Sequence, residues 1–246
     1  MLTPFNAVDY PKSDFIQQLH QSSLLDFPWL RLTEIRFDLQ HYDSSLFAAY
    51  GLTLPSHLDR AVDKRRAEYL ASRYAARIAL QAYGVTDFVL QNDVDRSPIW
   101  PDSIVGALTH TSGRAVIITA PFESRHHVGV DVEKLIAEST ARELSRMIAS
   151  ESEMFYFRQC DVPFATALTL AFSLKESLYK ALYPRLKQFI DFHAAEVVHV
   201  DFKTGQAVLQ LTECLSDEFT AGRQFTGYFQ QQQDEVLTIV LYKSRP

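Results

Sequence analysis

The segment Phe172-Ser173-Leu174-Lys175-Glu176-Ser177-Leu178-Tyr179-Lys180-Ala181-Leu182 constrains the fold more than any other stretch, because its charges make sense only beside a particular strand. Read as a helix, it projects Glu176 and Lys180, four apart, from one face. Read as a strand, the earlier Gly129-Val130-Asp131-Val132-Glu133 puts Asp131 and Glu133, two apart, on one side. Three carboxylates and an ammonium converge only where that strand packs against that helix. Such a cluster suits a hard divalent cation, and Mg²⁺ takes a few carboxylates and completes its shell with water and phosphate oxygens. Standing alone, each piece has an ordinary explanation, as a polar strand end or as an i,i+4 ion pair on a solvated helix face. Lys175 fits the ordinary explanation less well. Phe164, Leu168, Ala171, Leu178 and Leu182 form an apolar stripe, and Lys175 points into the same arc, where an ammonium either snorkels to water or meets an anion.

A chain of 246 residues can bury a substantial core, in one large domain or two small ones. Its formal charge of -6 argues against general nucleic-acid affinity, which needs a basic surface to displace counterions, so any anion site must be local. Cys160 and Cys214 are too few for a disulfide framework or a zinc site, and a reducing compartment is the expectation. Met1 to Leu30 shows no apolar run after a basic start, and no segment reaches the length of a membrane span. We therefore expect a cytoplasmic protein without a transmembrane segment.

Along the chain, the first thirty residues mix Pro4, Pro11 and Pro28 with scattered aromatics and read as an irregular surface arm. Thr33 to Leu39 alternates as a first strand, and His41 to Tyr50 reads as a short helix. Leu58 to Tyr83 carries a long helical pattern with the stripe Val62, Tyr69, Ala76 and Leu80, stopped by Gly84. Arg66, Arg73 and Arg77 border that stripe on one side and Arg65 on the other; guanidinium groups so placed grip phosphate bidentately, or else pair with Asp59, Asp63 and Glu68. Arg96-Ser97-Pro98-Ile99-Trp100-Pro101 reads as a rigid turn, and Gly106 to Thr111 leads, past Thr109 and His110, into a strand over Arg114 to Ala120.

A strand over His127 to Glu133 opens the second half, followed by helices near Ser139 to Ala149 and Ser150 to Arg158. The long helix with Lys175, Glu176 and Lys180 is opened by Pro163 and closed by Pro184. Four alternating strands follow, at Ala194 to Phe202, Gln206 to Thr212, Gln224 to Gln230 and Glu235 to Lys243. Strands clustered without intervening helices argue for antiparallel sheets. The expected fold class is α+β: two similar subdomains related by a pseudo-two-fold, residues 1–126 and 127–246, each with an antiparallel sheet and a long helix, and a cleft between them.

Five linked motifs carry a family resemblance. Arg65-Arg66-x-Glu68-Tyr69-Leu70-x-x-Arg73, Pro98-x-Trp100-Pro101, Gly106-x-x-Thr109-His110, Gly129-x-Asp131-x-Glu133 and Phe172-Ser173-x-Lys175-Glu176-Ser177-x-Tyr179-Lys180-Ala181 resemble the 4′-phosphopantetheinyl transferases, in particular their long, monomeric branch. The resemblance spans residues 60 to 190. Ala107 stands where the family usually has serine, and Ser72 where many members have glycine.

The resemblance implies transfer of the phosphopantetheine arm of coenzyme A to a serine of an apo carrier protein, with release of adenosine 3′,5′-bisphosphate. Asp131, Glu133 and Glu176 would hold Mg²⁺, or Mn²⁺ in its place, on the pyrophosphate. Lys175 and Lys180 would grip the phosphates, with Lys180 stabilising or protonating the departing bisphosphate. Arg65 and Arg73 would hold the 3′-phosphate, with Arg66 and Arg96 assisting and His110, beside Thr109, donating to a phosphate oxygen. Glu176 would be the general base for the serine, directly or through a metal-bound water. Acyl, peptidyl or aryl carrier domains are the implied partners, siderophore synthesis the implied pathway and a monomer the implied state. Coenzyme A and most carriers are acidic, as is this chain, but a few fixed cations in a dry site outweigh surface charge screened beyond about 8 to 10 Å. Carrier docking would then lean on apolar contacts, for which Met154-Phe155-Tyr156-Phe157 is a candidate, the equal alternative being that these residues are simply core. Two rival readings are a non-catalytic module that binds coenzyme A or a carrier, and another Mg²⁺-dependent phosphoryl-transfer enzyme.

Overall fold

The computed structural model describes residues 2–4 and 13–244, and it divides into two compact units, 1–125 and 126–246. The first holds strands β1 (Leu2–Pro4), β2 (Ile16–Leu24) and β3 (Phe27–Phe37), the short helix α1 (Leu46–Ala49) and the long helix α2 (Asp63–Gln81). The two-residue strands β4 (Gln91–Asn92) and β5 (Pro98–Ile99) then form a small ribbon, before β6 (Ile104–Thr111) and β7 (Arg114–Pro121). The second unit opens with β8 (His126–Lys134), continues through α3 (Glu138–Ile148), α4 (Glu151–Phe157) and α5 (Phe164–Leu186), and closes with β9 (Ala195–Asp201), β10 (Gln206–Leu211), β11 (Gln224–Gln232) and β12 (Glu235–Lys243). Each unit is thus an α+β lobe with a five-stranded antiparallel sheet, β1-β2-β3-β7-β6 in one and β8-β12-β11-β10-β9 in the other. Each has its own apolar core, α2 contributing Leu70, Ala71 and Ala75 to the first and α5 contributing Leu168, Leu174 and Leu182 to the second.

The beginning of the chain departs from the irregular arm expected of it. Ile16, Leu19 and Leu24 of β2 are buried, so this hairpin belongs to the sheet. The prolines do not prevent this, because Pro4 ends an edge strand and Pro28 sits at the start of β3, positions where a missing N–H is tolerated. The expectation at Pro11 lies outside the described residues. The helix expected over His41 to Tyr50 shrinks to Leu46–Ala49, and the segment from Ile104 to Thr111 is itself a strand.

Helix α2 begins at Asp63 rather than Leu58, because Pro55 starts a separate 3₁₀ turn whose Leu58 carbonyl accepts from Arg66 Nε at 3.0 Å. Val62, expected in the apolar stripe, lies before the helix and is exposed. Gly84 adopts φ 77° just beyond the C-cap, as its role as a stop requires. Helix α5 runs through Pro184 to Leu186 and ends at Lys187 in the left-handed region. In the last turn a proline forfeits only one backbone bond, so it does not end the helix where it stands.

The second lobe depends on a close approach of helix to strand. A Cβ added at Gly129 of β8 would come within 2.7 Å of the Ala181 nitrogen of α5 and still closer to the Ser177 carbonyl. Because both neighbours are helix backbone, neither can yield without shifting α5. Gly129→Ala should therefore displace α5 from the sheet and destabilise the lobe by about 4 kcal/mol or more, read as loss of the folded baseline or a large fall in Tm by scanning calorimetry.

Candidate active site

In the second lobe the packing of α5 on β8 and β12 brings Asp131, Glu133, Glu176 and Lys180 together. Lys180 Nζ donates to Asp131 Oδ1 at 2.7 Å and to the Val130 carbonyl at 3.1 Å. The other oxygen of Asp131 accepts from Ser173 Oγ at 2.9 Å. Ser173 lies against Thr238, the residue of β12 directly opposite Asp131, and Thr238 in turn meets Ser177 at 2.7 Å. All three hydroxyls are fully buried and all are hydrogen-bonded, as buried polar groups must be. Asp131 is therefore held from below by serine and from the side by an ammonium.

Glu133 and Glu176 are half-buried beside it. Burial, then repulsion from Asp131 and Glu176, pushes the Glu133 carboxyl up to about 7, with Lys180 opposing. Burial also raises Glu176, against the pull of Lys180. Among the described residues no three carboxylate, imidazole or thiolate groups already surround a common point at coordinating spacing. The donor set nevertheless suits a hard divalent cation in its chemistry. It offers only oxygens, and three carboxylates stand beside one ammonium, which leaves negative charge uncompensated.

Lys175 is not brought to this group. Its Nζ is buried and donates to Glu153 Oε2 and to the Ile148 carbonyl, each at 2.8 Å. Burial lowers its proton affinity and Glu153 opposes the change. Of the two partners open to an inward-pointing lysine, water or an anion, Lys175 takes the anion, and it is Glu153, which none of the five motifs includes. Its signal was present, since Ser150-x-x-Glu153 is a capping-box pattern and the structure forms both bonds of the box. Beyond Glu176 lies a pocket of about 130 Å³ whose walls include Lys175, Tyr179, Phe189, Ile190 and Phe192.

The aromatic run after Ser150 splits by helical period. Met154 and Phe157 belong to the core, whereas Phe155 is 68% exposed. Phe155 borders an open groove of about 1150 Å³ lined also by Arg142, Arg146 and Arg158.

In the first lobe α2 and β6 bring Arg65, Glu68 and His110 together. Arg65 Nη1 lies 3.1 Å from His110 Nε2, and His110 Nδ1 lies 3.6 Å from a Glu68 oxygen. Burial raises the Glu68 carboxyl, with Lys64 and Arg65 opposing. Arg73 is buried, stacks over the Tyr69 ring at 4.5 Å and donates to Asn92 of β4, while its Nε has no partner. Arg66 is turned toward the carbonyls of Leu58 and Asp59, which it caps. Arg96 stands exposed at the β4–β5 turn with φ 67°, and Thr109 is buried within β6. Trp100 packs flat on Gly106, where a Cβ would meet its ring at 2.7 Å.

The raised Glu133 carboxyl fixes the sign of a pH effect. Its folded-state value of about 7 exceeds the ordinary 4.5, so the protonated acid favours the folded state. That contribution is complete below 4.5 and lost as pH rises through 7. In metal-free buffer Tm should fall between pH 5 and pH 8 by about 2–4 °C, allowing for partial screening by water. Glu133→Gln should flatten the decline, and Mg²⁺ should restore more stability at pH 8 than at pH 5, both measured by scanning calorimetry.

Both lobes are similar in sequence to known proteins. The 4′-phosphopantetheinyl transferase N-terminal domain family matches residues 54–120, and the 4′-phosphopantetheinyl transferase superfamily matches residues 127–239. Enterobactin synthase component D of Salmonella typhi is 40% identical over 154 residues, covering 61% of this chain and 64% of that protein. The Escherichia coli K12 protein of the same name is 38% identical over 132 residues, covering 53% and 62%. The chain thus matches somewhat less than two thirds of the length of these curated relatives. The 4′-phosphopantetheinyl transferase PptT of Mycobacterium tuberculosis is 31% identical over 159 residues, covering 63% of this chain and 67% of that protein. With matches in both lobes and the acidic strand–helix pair in place, the chain belongs to the 4′-phosphopantetheinyl transferase superfamily.

Proposed function

We propose that the chain transfers the 4′-phosphopantetheine arm of coenzyme A to a serine hydroxyl of an apo carrier protein. The observation that carries this reading is the grouping of Asp131, Glu133 and Glu176 about Lys180 on one strand–helix pair. The serine oxygen forms a bond to the β-phosphorus as the bond to the bisphosphate breaks, and adenosine 3′,5′-bisphosphate leaves. Glu176, its proton affinity raised by burial, accepts the serine proton. Lys180 is the cation nearest the acidic group and stabilises charge on the departing oxygen. Asp131, Glu133 and Glu176 would hold Mg²⁺, or Mn²⁺, which when bound neutralises pyrophosphate charge and orients the phosphorus.

In the first lobe Arg65, Arg73 and His110 are assigned to the 3′-phosphate, with Arg66 and Arg96 at its margin. The unpartnered Arg73 Nε and the exposed Arg65 supply the donors. The apolar pocket beside Glu176 has room for the branched dimethyl carbon of the arm, which lies a short distance from the phosphate in coenzyme A. The carrier meets the groove where Phe155 stands among Arg142, Arg146 and Arg158, whose charge exceeds that of Glu138 and Glu151 on the same walls and so favours an acidic partner. Among the described residues no helix is long and apolar enough to cross a membrane. The relatives named enterobactin synthase component D direct the proposal toward siderophore carriers, with the chain acting as a cytoplasmic monomer.

Two experiments test the reading. An apo peptidyl carrier incubated with coenzyme A, Mg²⁺ and the protein should gain about 340 Da by mass spectrometry, whereas Glu176→Gln should slow the transfer about 10²–10⁴-fold with coenzyme A still bound. No gain on acyl, peptidyl or aryl carriers, with coenzyme A bound, would leave a binding module. Separately, Arg65→Ala should raise KM for coenzyme A by about 10- to 100-fold but leave KM for dephospho-coenzyme A, which lacks the 3′-phosphate, unchanged.

A further inference from the structure

Lys175 and Glu176 are consecutive, yet the structure sends them to different places. Glu176 joins the acidic group, and Lys175 passes into the core, where Glu153 receives its ammonium at 2.8 Å with both side chains almost fully buried. Glu153 is unusually well anchored for this task. One of its oxygens accepts from the Val197 N–H at 2.8 Å, and the other accepts from the Ser150 N–H at 3.0 Å as well as from Lys175. It therefore ties α4, α5 and β9 to one carboxylate. Lys175 nevertheless lines the small pocket beside Glu176, so that pocket is the open space available to its side chain if the ion pair is broken. A buried ammonium stripped of its partner moves toward water or toward another anion, and the carboxylates that line that pocket are Glu176 and Asp191.

We propose that Glu153 is a positioning residue for the transfer: by holding the Lys175 ammonium inside the core, it keeps an internal cation away from Glu176 and leaves that carboxylate open to the divalent ion. The inference rests on the assignment of Glu176 to Mg²⁺ made above. It also gives Lys175 a role different from a phosphate ligand, since its charge is matched by Glu153 rather than turned to the acidic group.

The test is the affinity for Mg²⁺, titrated calorimetrically with coenzyme A bound and at a temperature well below every variant's Tm. Glu153→Gln should weaken Mg²⁺ binding by about 10- to 100-fold, the range typical of residues that orient a metal's ligands. Adding Lys175→Met to that variant removes the released cation and should return the affinity to within about threefold of the unaltered protein, a non-additivity that separate effects would not produce. Should Glu153→Gln fail to fold, Glu153→Asp keeps the charge but shortens its reach, and should show a smaller weakening with the same rescue. Unchanged affinity in the single variant, or a loss that Lys175→Met does not repair, overturns the proposal. Failure of the unaltered protein to bind Mg²⁺ or to transfer the arm would instead overturn the functional reading on which it rests.

Discussion

Helix α5 lies on the backbone of β8 at Gly129, and the chemistry of the second lobe depends on that contact. Any side chain there would hold the helix off the strand, and Glu176 and Lys180 would then lose Asp131. The contact sets the distance of the helix, and two other fastenings set its rotation. On one side Ser173 and Ser177 meet Thr238 of β12, and on the other Lys175 meets Glu153 of α4. With three faces engaged, α5 has one orientation in which its remaining charged face can stand, over the acidic end of β8.

The two lobes manage buried charge by different means. In the first, Arg73 is matched by the face of Tyr69 and the amide of Asn92, neutral partners that leave its positive charge in excess. In the second, carboxylates outnumber the ammonium beside them, and burial, with mutual repulsion behind it, raises the proton affinity of Glu133 and Glu176. The first lobe is thus left with positive charge in excess and the second with negative.

Much of this was legible in the sequence, for reasons that can be stated residue by residue. The two-lobed α+β class follows from strands that alternate without intervening helices, and the acidic pair on β8 from the two-residue period of a strand. The candidate site residues came from the family resemblance that five motifs carry, and not from composition. An irregular arm is the natural reading of a stretch that mixes prolines with scattered aromatics, but an edge-strand end and a strand start accommodate Pro4 and Pro28. The partner of Lys175 was out of reach for another reason. Helical period says that a lysine points inward, but which anion meets it is a matter of tertiary packing between α4 and α5. The capping box at Ser150 placed Glu153 at a helix start without saying that the same carboxylate has a second duty. Likewise Pro184 could not be recognised as internal, because the effect of a proline depends on how few helical bonds remain beyond it.

The buried hydroxyls beneath Asp131 bear on how such a sequence can drift. Ser173, Ser177 and Thr238 touch no solvent, yet they occupy both partners of a strand–helix junction and end on a site carboxylate. Replacing one with an alkyl group strands the hydrogen-bonding capacity of the others inside the core, whereas replacing them together need not. Lineages should therefore exchange these three positions as a set, and a change at Thr238, distant in the chain from every motif, would carry information about the state of the motif at Ser173.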